Sequence, residues 1–290
     1  MTRPVLQERR VAVAPGRRLH LAGLEPQDAA PDAPFVLYDA GAFGIYADGA
    51  HVVRALAARG ARAWAYSRAG LGDSDDLPGG VVPDPYWHAG DMLRLLERLS
   101  PRGPLVLVGH SMAGLRLHAL AEIAGIELAG LVLVDAVTPS WIVSRTQRAG
   151  TRFFGSALAL AEGAVPLARG LAPVYPNGMR LTGKEREDKL RSVASPRHLR
   201  TTRAELSAVG GRGLRSRLAA RHGVPMIFMP AGMVARGTAA LAEEGRSNGS
   251  RVEIIDMSGW GHASILSPEP AEAIAEAALR LARSAASAGA

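Results

Sequence analysis

The chain contains no cysteine. Disulfides and thiolate metal sites are therefore excluded, and the redox compartment is left open. No run of about 18 uncharged apolar residues occurs, which argues against a membrane-crossing helix. The longest candidate, 155–171, is interrupted by Glu162 and Pro166. Residues 1–18 are rich in arginine and hold no apolar core segment, so no secretory signal is expected and the cytoplasm is the default location. Lysine is almost missing, and nearly all the positive charge is arginine. Neither an internal repeat nor a low-complexity tract is evident.

What is present suits a folded domain. The chain has 290 residues, 48% hydrophobic and 21% charged, enough for one large core plus an insertion. The net charge of +7 is uneven. Between Val137 and Arg221 arginine and lysine far outnumber aspartate and glutamate, and the remainder is slightly acidic. A basic face can attract nucleic acid, anionic lipid or acidic substrates. No nucleic-acid-binding motif accompanies it, so a solvated face is expected, with no nucleic-acid partner and no membrane association.

Short apolar runs alternate with helical periodicity along most of the chain. Residues 6–13 and 17–23 read as edge strands around Pro15-Gly16, and 35–38 as a buried strand. A helix is expected over 48–58, a strand over 61–66, and an amphipathic helix over 86–99. A strand at 105–108 runs into a helix ending near Gly125, and 128–134 is a further strand ending at Asp135. Strands at 224–229 and 251–256 flank a helix at 238–246. A last helix should start after Pro270 and reach about Arg283, with 284–290 frayed. Alternating strands and helices imply a mostly parallel, doubly wound α/β sheet. Between 139 and 221 helical periodicity appears without a strand signature. The expected division is a core of 1–136 and 223–290 with a helical cap inserted at 137–222.

One stretch organises the chemistry. Leu105 to Val108 runs into Gly109-His110-Ser111-Met112-Ala113-Gly114, and Leu115, Leu117 and Leu120 begin a helical pattern at once. A helix that follows a strand this sharply puts Ser111 at a strained corner, with its hydroxyl clear of the sheet. The residues two positions either side must be small, and Gly109 and Ala113 are. This is the G-x-S-x-G nucleophile elbow with alanine in the last place.

A serine hydroxyl needs a base to take its proton and a carboxylate to orient that base. His262 is the best base, because Gly261 beside it and the preceding strand can return its ring over the sheet. His51, His88, His118 and His198 fall in expected helices, and His110 should point away from the serine. For the acid, Asp135 ends the strand after the elbow strand, and the order Ser111, Asp135, His262 fits. Capping the turn after its strand is the alternative role for Asp135. Asp256, within a strand, is the third choice. Oxyanion donors would be the Met112 N–H and one from the loop after Tyr38, Ala42 or Phe43, where Gly41 and Gly44 allow close approach.

Over nearly its whole length the chain resembles the α/β-hydrolase superfamily. Three motifs carry the resemblance: Gly109 to Gly114, the turn Tyr66-Ser67-Arg68-Ala69-Gly70-Leu71-Gly72-Asp73-Ser74, and Gly261-His262. The resemblance implies a Ser-His-Asp mechanism through an acyl-enzyme, without cofactor or metal. It also implies a small-molecule, ester-like substrate and a cap whose Trp141, Phe153 and Phe154 line the acyl pocket or form the cap's own core. A lactonase, thioesterase, C–C hydrolase or perhydrolase would use the same residues. A non-catalytic binding protein on the same fold is the other class. Three departures stand out. Asp39-Ala40-Gly41 replaces the usual His-Gly, Ser67 replaces an aspartate, and the loop 230–237, where the acid usually lies, has no carboxylate. Asp39 is expected to pair with Arg68 and replace the lost anchor.

Overall fold

A computed structural model of the chain describes residues 3–139 except 124, residues 156 and 159, and 174–209, 222–232, 238–247 and 249–288. The strands are β1 (Gln7–Ala14), β2 (Arg17–Leu24), β3 (Phe35–Asp39), β4 (Arg62–Ser67), β5 (Leu105–His110), β6 (Gly130–Val134), β7 (Met226–Met229) and β8 (Val252–Ile254). They form one sheet in the order β1-β2-β4-β3-β5-β6-β7-β8. The first two pairings, β1 with β2 and β2 with β4, are antiparallel, and all the others are parallel.

The helices are α1 (Ala50–Ala57), α2 (Pro85–Leu99), α3 (Ala113–Ile123), α4 (Val174–Gly178), α5 (Gly183–Val193), α6 (Pro196–Ala208), α7 (Thr238–Ser247) and α8 (Pro268–Ala288). A parallel sheet is covered on both faces, so its strands are apolar throughout and successive residues serve different layers. Val36, Val106, Val108, Val132 and Ile227 pack with Val53 and Leu56 of α1 and Ile274 and Leu281 of α8. Leu37, Leu107, Leu131, Leu133 and Phe228 pack on the other side with Met92 and Leu96 of α2, Leu115 of α3 and Leu241 of α7.

Local chemistry explains several ends. Asp84 accepts a hydrogen bond from the Trp87 N–H at 2.8 Å and caps α2, with Pro85 in the first turn where its missing N–H costs nothing. Ser100, at φ 46°, stops that helix in the left-handed region.

Two expected boundaries are corrected. Helix α8 begins at Pro268 and continues to Ala288. Pro270 is tolerated in its first turn, and 284–288 hold only alanine and serine, with no glycine or proline to end it. Strand β8 is three residues rather than six, because it is an edge paired on one side. Its pairing goes on irregularly through Ile255 N–H to Phe228 O and Met257 N–H to Pro230 O.

The described residues between β6 and β7 pack on both layers of the sheet. Met179 and Leu181 enter the α1–α8 layer, and Leu199 and Leu206 enter the α2–α3 layer. On α6, Thr201 lies so close to Gly70 that a Cβ there would sit 2.5 Å from its Oγ1. Among the described residues, no helix is long and apolar enough to cross a membrane.

Candidate active site

The C-terminal ends of β3, β5 and β6 and the loop after β8 converge, as ligand sites do in open α/β sheets. Ser111 follows β5 at φ 54°, in the left-handed region that a serine rarely adopts. Three neighbours impose that corner. A Cβ on Gly109 would lie 2.6 Å from Leu117 Cδ1 and 3.1 Å from the Ala113 Cβ, so glycine and alanine here let strand and helix touch. A Cβ on Gly114 would overlap the Val137 carbonyl. One on Gly41 would lie 2.8 Å from the Ser111 Cβ, which brings the loop after β3 against the serine. The Ser111 carbonyl accepts from the Val137 N–H at 2.8 Å and the Gly114 N–H at 3.1 Å.

Ser111, His262 and Asp135 form one hydrogen-bonded chain. His262 Nε2 lies 3.1 Å from Ser111 Oγ, and His262 Nδ1 lies 2.6 Å from Asp135 Oδ2. Asp135 is buried at φ 40°, a conformation that aspartate tolerates better than most residues. Its second oxygen, Oδ1, accepts the Ala231 N–H at 2.9 Å. The loop after β7 that lacks a carboxylate thus presents a backbone donor to the carboxylate of β6. Asp256 lies apart from this chain and accepts from the Ser258 N–H at 2.8 Å, a turn bond.

His110, beside the serine, is turned to His262 instead. Its Nε2–H donates to the His262 carbonyl at 2.9 Å, and the two rings lie 4.5 Å apart. Burial, with His262 beside it, pushes His110 well below the ordinary histidine range, so it stays neutral.

The loop after β3 is held by its carbonyls. Arg68 donates to Ala40 O at 2.7 Å and Gly41 O at 3.0 Å, and Arg116 also reaches Ala40 O. Lys189 Nζ donates to Phe43 O at 2.8 Å, and His198 Nε2–H does so at 3.1 Å. Among the described residues, no acceptor meets the N–H of Ala42 or of Met112. Phe43 sits at φ 67°.

Asp39 pairs with Arg68 at 3.3 Å, as expected, and also with Arg116 at 2.6 Å. Arg116 was hidden in sequence by the leucines around it on α3. A second carboxylate, Glu205, grips Arg68 with both oxygens, at 2.8 and 2.9 Å. Burial alone would raise Glu205, but Arg68 and His88 hold it well below the usual carboxylate range. Ser67, which stands in place of the aspartate usual in that turn, accepts the Tyr46 N–H at 3.1 Å. Trp141, Phe153 and Phe154, candidates for lining the pocket or for the cap's own core, lie outside the described residues. No group of three or more histidine, aspartate or glutamate side chains that could hold a metal ion occurs among the described residues.

Solved structures with the same fold carry different names. A candidate acyltransferase from Salmonella enterica superposes with a TM-score of 0.77 at 16% identity, covering 96% of both chains. The thioesterase domain from the curacin biosynthetic pathway gives 0.66 at 20% identity, over 95% of this chain and all of that one. The epoxide hydrolase VrEH1 from Vigna radiata gives 0.67 at 16% identity, over 98% of this chain and all of that one. At such identities the likeness is one of fold. No match was found among curated proteins. The model of the alpha/beta hydrolase family matches residues 11–277, and the chain belongs to that family.

Proposed function

We propose that this hydrolase cleaves a carboxylic ester of a small to medium, partly apolar substrate through an acyl-enzyme on Ser111. The observation that carries the reading is the unbroken chain Asp135 Oδ2, His262 Nδ1, His262 Nε2, Ser111 Oγ. In acylation, His262 takes the hydroxyl proton as Oγ attacks the ester carbonyl carbon. The tetrahedral oxyanion is held by the N–H groups of Met112 and of Ala42, with that of Phe43 the alternative donor on the same loop. Collapse expels the alcohol, which leaves with the proton from His262. Water then attacks the acyl carbon, giving its proton to His262, and the acid departs as Ser111 recovers its proton. Asp135 keeps the proton on Nδ1 in the resting state, so that Nε2 faces the serine with its lone pair.

No cofactor is required by this chemistry. The cap at 137–222 would shape the acyl pocket, with Trp141, Phe153 and Phe154 as candidate liners, and a cytoplasmic location remains the working assignment. The same acyl-enzyme would serve a thioester or a transfer to another acceptor; the names of two structural neighbours, an acyltransferase and a thioesterase domain, fit that range, and that of the epoxide hydrolase does not.

A panel of p-nitrophenyl esters from acetate to octanoate tests the reading. Turnover should depend on Ser111, with the Ser111→Ala variant slower by about 10³-fold or more. If no ester is turned over faster by the wild type than by that variant, the proposal is wrong.

A further inference from the structure

The loop 39–44 is short, and its carbonyls face three cationic side chains, Arg68, Arg116 and Lys189, each of which is also paired with a carboxylate. Three of its carbonyls, those of Ala40, Gly41 and Phe43, each accept two hydrogen bonds, and four side chains, Arg68, Arg116, Lys189 and His198, supply five of these six donors. The sixth is the Gly44 N–H, which donates to Gly41 O at 3.1 Å and closes the loop on itself.

Peptide planarity turns an anchored carbonyl into an aimed donor. Every peptide here is trans, so the Ala42 N–H points opposite to the Gly41 carbonyl. That carbonyl is directed at Arg68 and Gly44, and the Ala42 N–H is therefore directed away from them. Gly41 is the residue in contact range of the Ser111 Cβ.

Two of the anchoring side chains, and the partner of a third, come from the inserted segment. Lys189 of α5 and His198 of α6 hold Phe43 O, and Glu205 of α6 holds Arg68 in both of its forks. Lys189 is fully buried and also pairs with Asp48 at 2.8 Å. Lys184 and Lys189 are the only two lysines in a chain otherwise supplied with arginine. An ammonium offers three donors from one point, which suits a site where one atom must reach a carbonyl and a carboxylate together. His198 lies edge-on to the Phe43 ring at 5.2 Å.

We propose that α5 and α6 are positioning elements for the oxyanion donor: Lys189 and His198 act through the Phe43 carbonyl, Glu205 acts through Arg68 and the Gly41 carbonyl, and together they set the aim of the Ala42 N–H. This part of the insertion is then a fixed brace of the catalytic loop rather than a swinging cover. The inference rests on the reading of Ser111 as nucleophile and Ala42 as oxyanion donor.

The decisive pair of variants is His198→Phe, which keeps the ring and removes the donor, and His198→Gln, which restores an N–H. The phenylalanine variant should lose about tenfold in kcat with KM little changed, since the donor whose aim it loosens serves the charge that develops in the transition state. The glutamine variant should recover to within about threefold of wild type. Lys189→Met should lose more, about 10²-fold, the effect of losing an oxyanion donor. Hydrogen–deuterium exchange over 39–44 should quicken in His198→Phe and not in His198→Gln. If His198→Phe keeps kcat within about twofold of wild type, the inference is overturned, whatever the exchange shows. If the wild type itself shows no Ser111-dependent turnover, the hydrolase reading falls. The brace is then judged by exchange alone, and unchanged exchange in His198→Phe overturns it.

Discussion

Replacing Asp135 by asparagine tests the role of each carboxylate oxygen. Oδ1 accepts the Ala231 N–H at 2.9 Å, and Oδ2 faces His262 Nδ1 at 2.6 Å. Asparagine has one carbonyl oxygen and one NH2 group, so it can satisfy only one of these two partners as an acceptor. With the NH2 group turned to Ala231, two donors would face each other in a buried site, at a cost of about 1–3 kcal/mol. With the NH2 group turned to His262, no donor is lost if the imidazole moves its proton from Nδ1 to Nε2. The second arrangement wins, because neutral imidazole tolerates either tautomer. Nε2–H then donates to Ser111 Oγ and can no longer accept its proton. The expected loss in kcat is about 10³–10⁴-fold, or about 4–5.5 kcal/mol of transition-state stabilisation. Stability should change by only about 1 kcal/mol, since the Ala231 bond survives. Steady-state hydrolysis of the best p-nitrophenyl ester reads the first quantity and thermal unfolding the second. Asp256→Asn is the control and should stay within about twofold of wild type, because Asp256 serves only a turn. A kcat for Asp135→Asn within about tenfold of wild type would refute the tautomer argument.

Three further perturbations follow from the same contacts. Gly41→Ala would set a methyl group 2.8 Å from the Ser111 Cβ. It should cut kcat by about 10²-fold, from displacement of the loop or the serine, and ester assays that find it fully active would contradict the close approach. His110→Phe removes the bond to the His262 carbonyl and should lower kcat by roughly tenfold or more. His110→Gln should restore part of it, so equal kinetics for the two variants would count against a positioning role. Burial holds His118 and His198 down from 6.5 to about 3, with His222 and Lys189 adding to it respectively. The native state then binds fewer protons than the unfolded chain, so stability is full above about pH 6.5 and falls as pH drops toward 3. Between pH 7.5 and 5 each histidine should cost about 2 kcal/mol, together lowering the melting temperature by roughly 8 °C. A melting temperature that stays flat across that range would contradict the burial of these two rings.

The sequence made the centre of the fold easy to read and its supports hard. Val106 to Gly114 announces strand, corner and helix within nine residues, because each requirement is local: apolar residues for a buried strand and small ones where the helix touches it. Asp135 and His262 could be chosen because each ends or follows an apolar run on the same side of a parallel sheet, and the fold brings both within reach of Ser111. Asp39 and Arg68 were legible as a pair because two departures from a familiar pattern lay at adjacent strand ends. Arg116, Lys189, His198 and Glu205 were not. Their partners are backbone carbonyls or side chains 76 to 155 residues away, and no periodicity encodes which helix face meets a distant loop. The end of α8 was misread for a simpler reason. A run of alanine and serine looks like a loose tail by composition, yet alanine is the best helix former and nothing in 284–288 opposes the helix.

Intact mass after incubation with a fluorophosphonate reads the activation of Ser111 itself, because only an activated serine reacts at a useful rate. An activated Ser111 gives one adduct on the wild type and none on the Ser111→Ala variant. A wild type left unmodified under conditions that label a known serine hydrolase would contradict it, and the hydrogen-bonded chain at Ser111 would then belong to a binding protein.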